Sequence, residues 1–516
     1  MKKLINFFPY LILILAGAVS VFAFAPFNHV LFIIVSLFGL IWVTNQLNKR
    51  QIIIGVILYG SAYFLAQLYW MFYSLYSVID VGLFNSSIGM LGFVIYLSLY
   101  ILLAIGLFRY CKTQSDEINY LFLLPSCWII GEWLRGWVFT GFSWSDIAYT
   151  QTSNYMLQGV FPLLGSYGVS WFAVSVIGFL FLVLINNRIL TASRPQITNG
   201  HRFAVLYFMI IVVVGYYVHG IKYTQDYGKP VSVALVQGNV NGAEKWDQGM
   251  FLKHLDMYSS MISRSKADIV ILPETAIPMY QEYLPEHYLD SIIGLAKMNH
   301  AALIIGLPRK IDNSGNYVNS ATVFTESGYP YYAKSHLVPF GEYIPMKDIW
   351  GRFYIFAGIP MVGFSAGDAN QKPLVIANQK VAFNICYENG FGSELIASAA
   401  DSSLMVNLSD MVWYGQTIAE DQHLQLSQAR AMENQRYFIQ DTNSGLTSII
   451  DPFGHIEATL PPFEQNILTT SVQGMVGTTP YQRFGNYPII ILSSLIIMLC
   501  ATSRIFSRSS RKNGNL

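Results

Sequence analysis

Charge is what this sequence has least of. Asp, Glu, Lys and Arg make up 12% of its 516 residues, against roughly 25% in an average soluble domain. So few charges cannot cover the surface of a water-soluble multidomain enzyme of this length, and 53% hydrophobic residues exclude a disordered chain. The 31 Lys and Arg nearly cancel the 30 Asp and Glu, which leaves no bulk attraction for nucleic acid. Cysteine is also scarce. Cys111, Cys127, Cys386 and Cys500 are too few and too scattered for a disulfide framework. No His, Cys and carboxylate set has metal-ligand spacing and no Gly-rich phosphate loop appears, so neither metal nor cofactor is expected.

What is present is apolar sequence in long runs. About 30 Å of hydrocarbon needs ~20 helical residues. Eight runs qualify, at 5–24, 29–45, 52–73, 87–108, 119–138, 166–186, 203–221 and 487–503. The expected organisation is a seven-helix transmembrane region at 1–222, a water-exposed domain at 223–485, an eighth helix at 486–503 and a basic tail at 504–516. Basic residues orient the bundle. Lys2, Lys3, Lys49, Arg50, Arg109, Lys112, Arg188, Arg194, Arg202, Arg504, Arg508, Arg511 and Lys512 fall on one side if the spans alternate, while loops 25–28, 74–86 and 139–165 hold no Lys or Arg. Positive charge stays cytoplasmic. Both termini are therefore expected inside and the large domain outside, which in a bacterial cell is the periplasmic face. A cleavable signal peptide ending at Ala23-Phe24-Ala25 is the rival reading of the start; the second run follows too closely, and an uncleaved helix pair fits better. Within the spans, Glu132 and Arg135 are three residues apart and are expected to form an ion pair near the outer boundary.

The water-exposed region reads as mixed α/β. Apolar runs at 231–236, 269–272, 302–306, 381–385 and 403–407 have the continuous character of strands buried on both faces. Helices are expected at 248–265, 288–299, 391–400 and 417–435. In open α/β sheets the chemistry sits just beyond strand ends, which directs attention to the residues that terminate these runs. Glu274 follows Ile269–Leu272, and Cys386-Tyr387-Glu388 follows Val381–Ile385; between them lies the stretch from Tyr332 to Tyr343 that carries Lys334, His336 and Glu342. Cys386 is the one cysteine of this region. Singly, each of these residues has a bland explanation: a loop carboxylate, a solvated lysine, a buried thiol. Their combination is specific.

Pro273-Glu274, Lys334 and Cys386-Tyr387-Glu388 resemble, in order and spacing, the Glu–Lys–Cys signature of the nitrilase (carbon–nitrogen hydrolase) superfamily. Together with Pro339-Phe340-Gly341-Glu342-Tyr343-Ile344-Pro345 and the eight spans, the whole chain is similar to the apolipoprotein N-acyltransferases of the bacterial inner membrane. That resemblance implies an α-β-β-α sandwich for the 223–485 domain. It implies an enzyme that moves the sn-1 acyl chain of a phospholipid, commonly phosphatidylethanolamine, onto the α-amine of a diacylglyceryl-cysteine on an apolipoprotein. Cys386 is then the nucleophile that holds a thioester, Glu274 the general base and Lys334 the cation at the developing oxyanion. The same resemblance makes Glu342 a second carboxylate expected to orient Lys334, with a share in proton transfer as the alternative, and Tyr387 and Glu388 are expected to position the nucleophile. Trp246 matches a tryptophan near the substrate entrance.

A Lys charge ~4 Å from a thiolate, at an effective dielectric of ~20, is worth about 4 kcal/mol or roughly three pK units. Desolvation opposes it, and sequence leaves that balance open. The aromatic stretch 349–364, with Phe353 and Phe356, is expected to act as a lid dipping into the membrane interface. Two rival functions remain open at this point: a membrane-tethered amidase of the same superfamily that resolves its acyl-enzyme with water, and a lipid receptor or transporter with a degenerate site. A papain-like scheme with His336 as the base is the weaker alternative to the Glu–Lys–Cys scheme.

Overall fold

The structure, a computed structural model, describes residues 2–186, 199–245, 247–280, 283–311, 316–325, 328–346, 348, 351 and 363–513. Two compact units emerge. The first comprises residues 1–72, 84–221 and 484–516, and the second 73–83 and 222–483.

The first unit is helical: Lys2–Val19, Leu31–Thr44, Lys49–Tyr73, Leu83–Cys111, Leu124–Arg135, Phe161–Phe181, Asn199–His219 and Tyr487–Asn513. Helices lie at all eight expected positions, but among the described residues five are long and apolar enough to cross a membrane: Lys49–Val78, Leu83–Cys111, Phe161–Leu184, Arg202–His219 and Tyr487–Ile505. The other three differ among themselves. Leu31–Thr44 has 14 residues, about 21 Å at 1.5 Å per residue. The first helix, Lys2–Val19, continues into the 3-10 turn Ser20–Ala23. Helix is also continuous from Asp116 through the π-helical turn Asn119–Leu123 to Arg135, but Asp116, Glu117, Glu132 and Arg135 dilute its apolar character.

Several polar groups inside this unit find protein partners, as a medium without water favours. Ser175 donates to the Leu121 carbonyl at 2.7 Å, Tyr63 to that of Ser145 at 3.0 Å, and Gln67 to the Ser20 hydroxyl at 3.1 Å. A Cβ on Gly178 would stand 2.1 Å from the Tyr120 carbonyl oxygen, so glycine is what lets two backbones meet there. Arg135 pairs with Asp146, a loop residue, while Glu132 accepts from Trp128 Nε1 at 2.9 Å and from the Ile147 N–H at 3.0 Å. The acid that meets Arg135 in a salt bridge thus comes from the following loop and not from its own helix.

The second unit is built on two six-stranded sheets. Strands β1 (Thr224–Gln237), β2 (Ile269–Ile271), β3 (Ala302–Lys310), β4 (Tyr317–Phe324), β5 (Tyr331–Ala333) and β12 (Asn466–Gly477) form the first, ordered β12-β1-β2-β3-β4-β5. Strands β6 (Leu374–Ile376), β7 (Gln379–Ile385), β8 (Leu404–Ser409), β9 (Tyr437–Thr442), β10 (Ser448–Ile450) and β11 (Ile456–Thr459) form the second, ordered β11-β10-β9-β8-β7-β6. The three strands β1, β2 and β3 run parallel, as do β7, β8 and β9, and the flanking strands are antiparallel. Alternation along each strand then fixes four layers. Val233, Leu235, Val381, Phe383 and Ile385 meet between the sheets. Ala234, Val236, Val270 and Ile305 face the other way onto residues of helices Gln248–Arg264 and Tyr288–Met298. Ala382, Met405 and Phe438 do the same under Gly392–Ala400 and Ala419–Asn434. Burial on both faces explains why the central strands read as unbroken apolar runs. The architecture is an α-β-β-α sandwich.

Candidate active site

The parallel strands of both sheets end at one place, and the chain beyond each end carries a polar side chain into it. Glu274 follows β2, Lys334 follows β5, Cys386 follows β7 and Asp410 follows β8. The Glu274 loop lies directly on β3. A Cβ on Gly306 would fall 2.2 Å from the Pro273 carbonyl oxygen, so only glycine admits that loop. The backbone around Lys334 is held on both sides: its N–H donates to the Asn319 carbonyl at 2.8 Å, and its own carbonyl accepts from Gly367 at 2.8 Å.

Lys334 is 1% exposed and its ammonium sits between two carboxylates, 3.0 Å from Glu342 Oε1 and 3.4 Å from Glu274 Oε1. Asn319 Nδ2 spans the same two oxygens, at 2.7 Å from Glu274 and 3.1 Å from Glu342. The second oxygen of Glu274 accepts from the Asp410 N–H at 3.0 Å, and that of Glu342 from the Val338 N–H at 2.8 Å. Burial works against the charge on Lys334, but Glu342 and Glu274 outweigh it and hold the ammonium well above its ordinary pKa. Burial pushes the Glu274 carboxyl up; Lys334 opposes the shift, and Glu342 and Asp410 reinforce it.

Cys386 opens the turn Cys386–Gly390 with φ at +53°, left-handed backbone that a side chain other than glycine adopts only under constraint. Glu388 supplies the constraint. Its Oε2 accepts from the Ile385 N–H at 2.6 Å, and its Oε1 from the Ser335 N–H at 2.7 Å, the Ser335 hydroxyl at 2.8 Å and the His336 N–H at 3.0 Å. The Tyr332 hydroxyl donates to the same carboxylate at 2.9 Å. One carboxylate thereby fastens the chain after Lys334 to the turn that carries Cys386. The Cys386 carbonyl accepts from Nε2 of His423 at 3.3 Å; burial pulls that imidazole's pKa down to about 4, so it is neutral, with its proton on Nε2. Burial also pushes the Cys386 thiol well above its ordinary range. The Glu274 charge pushes it further, and the thiol hydrogen-bonds to Glu274; Lys334 only partly opposes. Desolvation thus wins the balance that sequence left open. The resting group is a thiol against the Glu274 carboxylate and not a stored thiolate.

Of the expected residues, the structure brings Glu274, Lys334, Glu342 and Cys386 together, with Tyr387 and Glu388 on the turn that Cys386 opens. Tyr387 packs edge-on against Phe391 at 5.0 Å and His336 at 5.6 Å. The His336 ring stacks on Phe391 and meets the Glu394 carboxylate at 3.0 Å through Nδ1. Trp246, Phe353 and Phe356 lie outside the described residues, as does most of the 349–364 stretch. Sequence reasoning passed over Asn319, Asp410, Lys245 and His423. Asp410 lay near a signal, three residues beyond the apolar run 403–407 and directly after β8; the other three had none.

A two-sheet fold whose strand ends gather a cysteine, a lysine and a carboxylate is that of a carbon–nitrogen hydrolase. Residues 232–481 match the family model described as Carbon-nitrogen hydrolase, and residues 16–180 that of the Apolipoprotein N-acyltransferase N-terminal domain. Apolipoprotein N-acyltransferase of Chromobacterium violaceum is 36% identical, over 94% of this chain and 92% of its own length. That of Neisseria meningitidis serogroup B is 36% identical over 95% and 96%, and that of Haemophilus influenzae 30% over 96% and 95%. The chain belongs to the apolipoprotein N-acyltransferase family and is an acyl-transferring enzyme.

Proposed function

We propose that Cys386 carries the acyl group between two substrates in a ping-pong cycle, with phosphatidylethanolamine as donor and a diacylated apolipoprotein as acceptor. The Cys386 sulfur attacks the sn-1 ester carbonyl while its proton passes to Glu274, and Lys334 faces the oxygen on which negative charge gathers. The carbon–oxygen bond then breaks. Glu274 returns the proton to the leaving oxygen, so lysophospholipid departs and a thioester remains on Cys386. In the second half, the neutral α-amine of the acceptor's diacylglyceryl-cysteine attacks that thioester. Its N–H proton moves by way of Glu274 to the departing sulfur, which leaves an amide and a free thiol. Such an amine ordinarily titrates at about 7.7–8.0, and a base with a raised pKa suits the exchange.

The raised thiol pKa favours this concerted transfer over attack by a preformed thiolate. Glu342 holds Lys334 in place, and Glu388 and Tyr387 hold the nucleophile's turn. A sixteen-carbon chain has some fifteen methylenes at ~0.8 kcal/mol each, so its passage through water would cost about 10 kcal/mol. Substrates therefore enter from the bilayer. In this reading the apolar helices make eight passes, that of Leu31–Thr44 a short one, through a bacterial inner membrane. Basic residues keep both termini cytoplasmic, and residues 223–485 work on the periplasmic side. Trp246 borders the entrance, and Phe353 and Phe356 line a lid that meets the lipid.

The observation that carries the proposal is the buried cluster in which Lys334 bridges Glu274 and Glu342 while Glu274 hydrogen-bonds Cys386. The test is incubation of the purified protein with phosphatidylethanolamine and a diacylated lipopeptide. An N-acylated lipopeptide with stoichiometric lysophospholipid is expected. Free fatty acid in place of the acylated peptide would assign the chain to water-resolved hydrolysis instead.

A further inference from the structure

Behind Glu274, on the side away from Lys334, lies a second buried ion pair that the cycle above does not use. The Lys245 ammonium, at the end of the short helix Gly242–Lys245, meets Asp410 Oδ2. Both residues are buried, 4% and 3% exposed. Lys245 Nζ also donates to the main-chain oxygen of Glu274 at 3.3 Å. Asp410 donates its N–H to the Glu274 side chain at 3.0 Å and is itself fixed by Asn443 Nδ2 at 3.1 Å and the Val412 N–H at 3.2 Å, both on Oδ1. Asn443 also clamps the loop before Lys245, exchanging hydrogen bonds with Val240 at 2.8 and 3.0 Å. Glu274 is therefore gripped at its backbone by one member of the pair and at its carboxylate by the other.

We propose that Lys245 and Asp410 are positioning residues for Glu274, fixing its carboxylate toward Cys386 and, by their opposite charges, setting the pH at which it can accept the thiol proton. This rests on Glu274 acting as the base. Isolated buried ion pairs cost desolvation that hydrophobic residues would avoid; here the pair also holds one functional residue, Glu274, by its main-chain oxygen and by its carboxylate, which gives it a use beyond stability. The charged and titratable groups around Glu274 are Lys334, Glu342, Asp410 and Cys386, with Tyr414 nearby. Those around the pair itself are His254 beside Lys245 and Tyr258 beside Asp410. Asp410 favours the protonated form of Glu274. A neutral residue at 410 leaves Lys245 unopposed, and a neutral residue at 245 leaves Asp410 unopposed, so the two changes act with opposite sign.

The experiment follows the rate of thioester formation on Cys386 against pH, with the full chain in detergent and phospholipid as donor. A base must be deprotonated to act, so the rate rises with pH through the Glu274 titration. Asp410→Asn, which keeps the N–H donor, is expected to move that rise about 0.5–1 unit to lower pH, and Lys245→Met about 0.5–1 unit to higher pH. The double variant is expected to return to within about 0.3 unit of the parent, at a lower maximal rate. Losses of rate without displacement, or displacement in the same direction, would reduce the pair to packing and overturn the inference. If Lys245→Met gives no folded protein, Asp410→Asn alone decides by the sign of its shift. Glu274→Gln separates the two claims. Retained acylation in that variant sinks the base assignment itself, whereas lost acylation with no opposite displacement sinks only the role of the pair.

Discussion

Two buried carboxylates, Glu274 beyond β2 and Glu388 beyond β7, lie near Cys386 in unlike surroundings. Glu274 faces an ammonium, a second and a third carboxylate and a thiol, so its surroundings change charge as protons move. Glu388 faces hydrogen-bond donors: three main-chain N–H groups and the hydroxyls of Ser335 and Tyr332. Burial raises the pKa of both, but in Glu388 the hydrogen bonds from His336 and Ile385 are the first forces to oppose it, and in Glu274 it is the Lys334 charge. A carboxylate saturated with donors is a fastener, because giving up its charge would break several bonds at once. Glu274 also accepts from Asn319 and the Asp410 N–H, but the Lys334 charge is the first force that keeps it ionised, so its proton affinity follows the charges around it. Residue type alone does not tell acid–base chemistry from architecture; the partners do.

The contrast can be broken in four places. Glu274→Gln is expected to have the largest effect, a ~10²–10⁴-fold loss of thioester formation, measured as acyl adduct over time, with the melting temperature within a few degrees of the parent. A large drop in melting temperature would show that Glu274 is a fastener too. Glu388→Gln places an amide donor among donors, and each buried group left unsatisfied costs about 1–3 kcal/mol. Here the thermal melt is expected to fall clearly, with acylation down about 10–100-fold and the pH profile unmoved; a displaced profile with an unchanged melt would reverse the two roles. Tyr332→Phe removes one donor of five and is expected to cost about 0.5–1.5 kcal/mol by denaturant titration, with acylation within a few-fold. His336→Ala is the smallest change. Its ring is engaged by Phe391 and Glu394, so acylation within about threefold of the parent is expected, and near-complete loss would revive a histidine base.

Much of this site was legible because chemistry sits where apolar runs stop. Glu274 and Cys386 end such runs, and Lys334 stood out once those two were in view. The fasteners were harder to read. Asn319 lies inside β4, whose sequence YVNSATVF is too polar to register as a strand, and so the residue that bridges Glu274 and Glu342 stayed hidden. Asp410 does lie just beyond a run, but an Asp after a strand is the commonest sort of turn residue. Lys245 sits in a four-residue helix with no period to detect. The strands β5, β6, β10 and β11 are three or four residues long and pair across hairpins; tertiary pairing, more than local pattern, makes them strands. In the helical unit, composition located every apolar segment, yet hydropathy does not register where a helix such as Leu31–Thr44 stops.

The account stands or falls on Cys386 carrying the acyl group. Its most direct test is intact-protein mass spectrometry after incubation with phosphatidylethanolamine and no acceptor. The account predicts a mass increase of one acyl chain on Cys386, absent in Cys386→Ala and discharged when diacylated lipopeptide is added. An unmodified Cys386 in protein that still N-acylates the lipopeptide would contradict it.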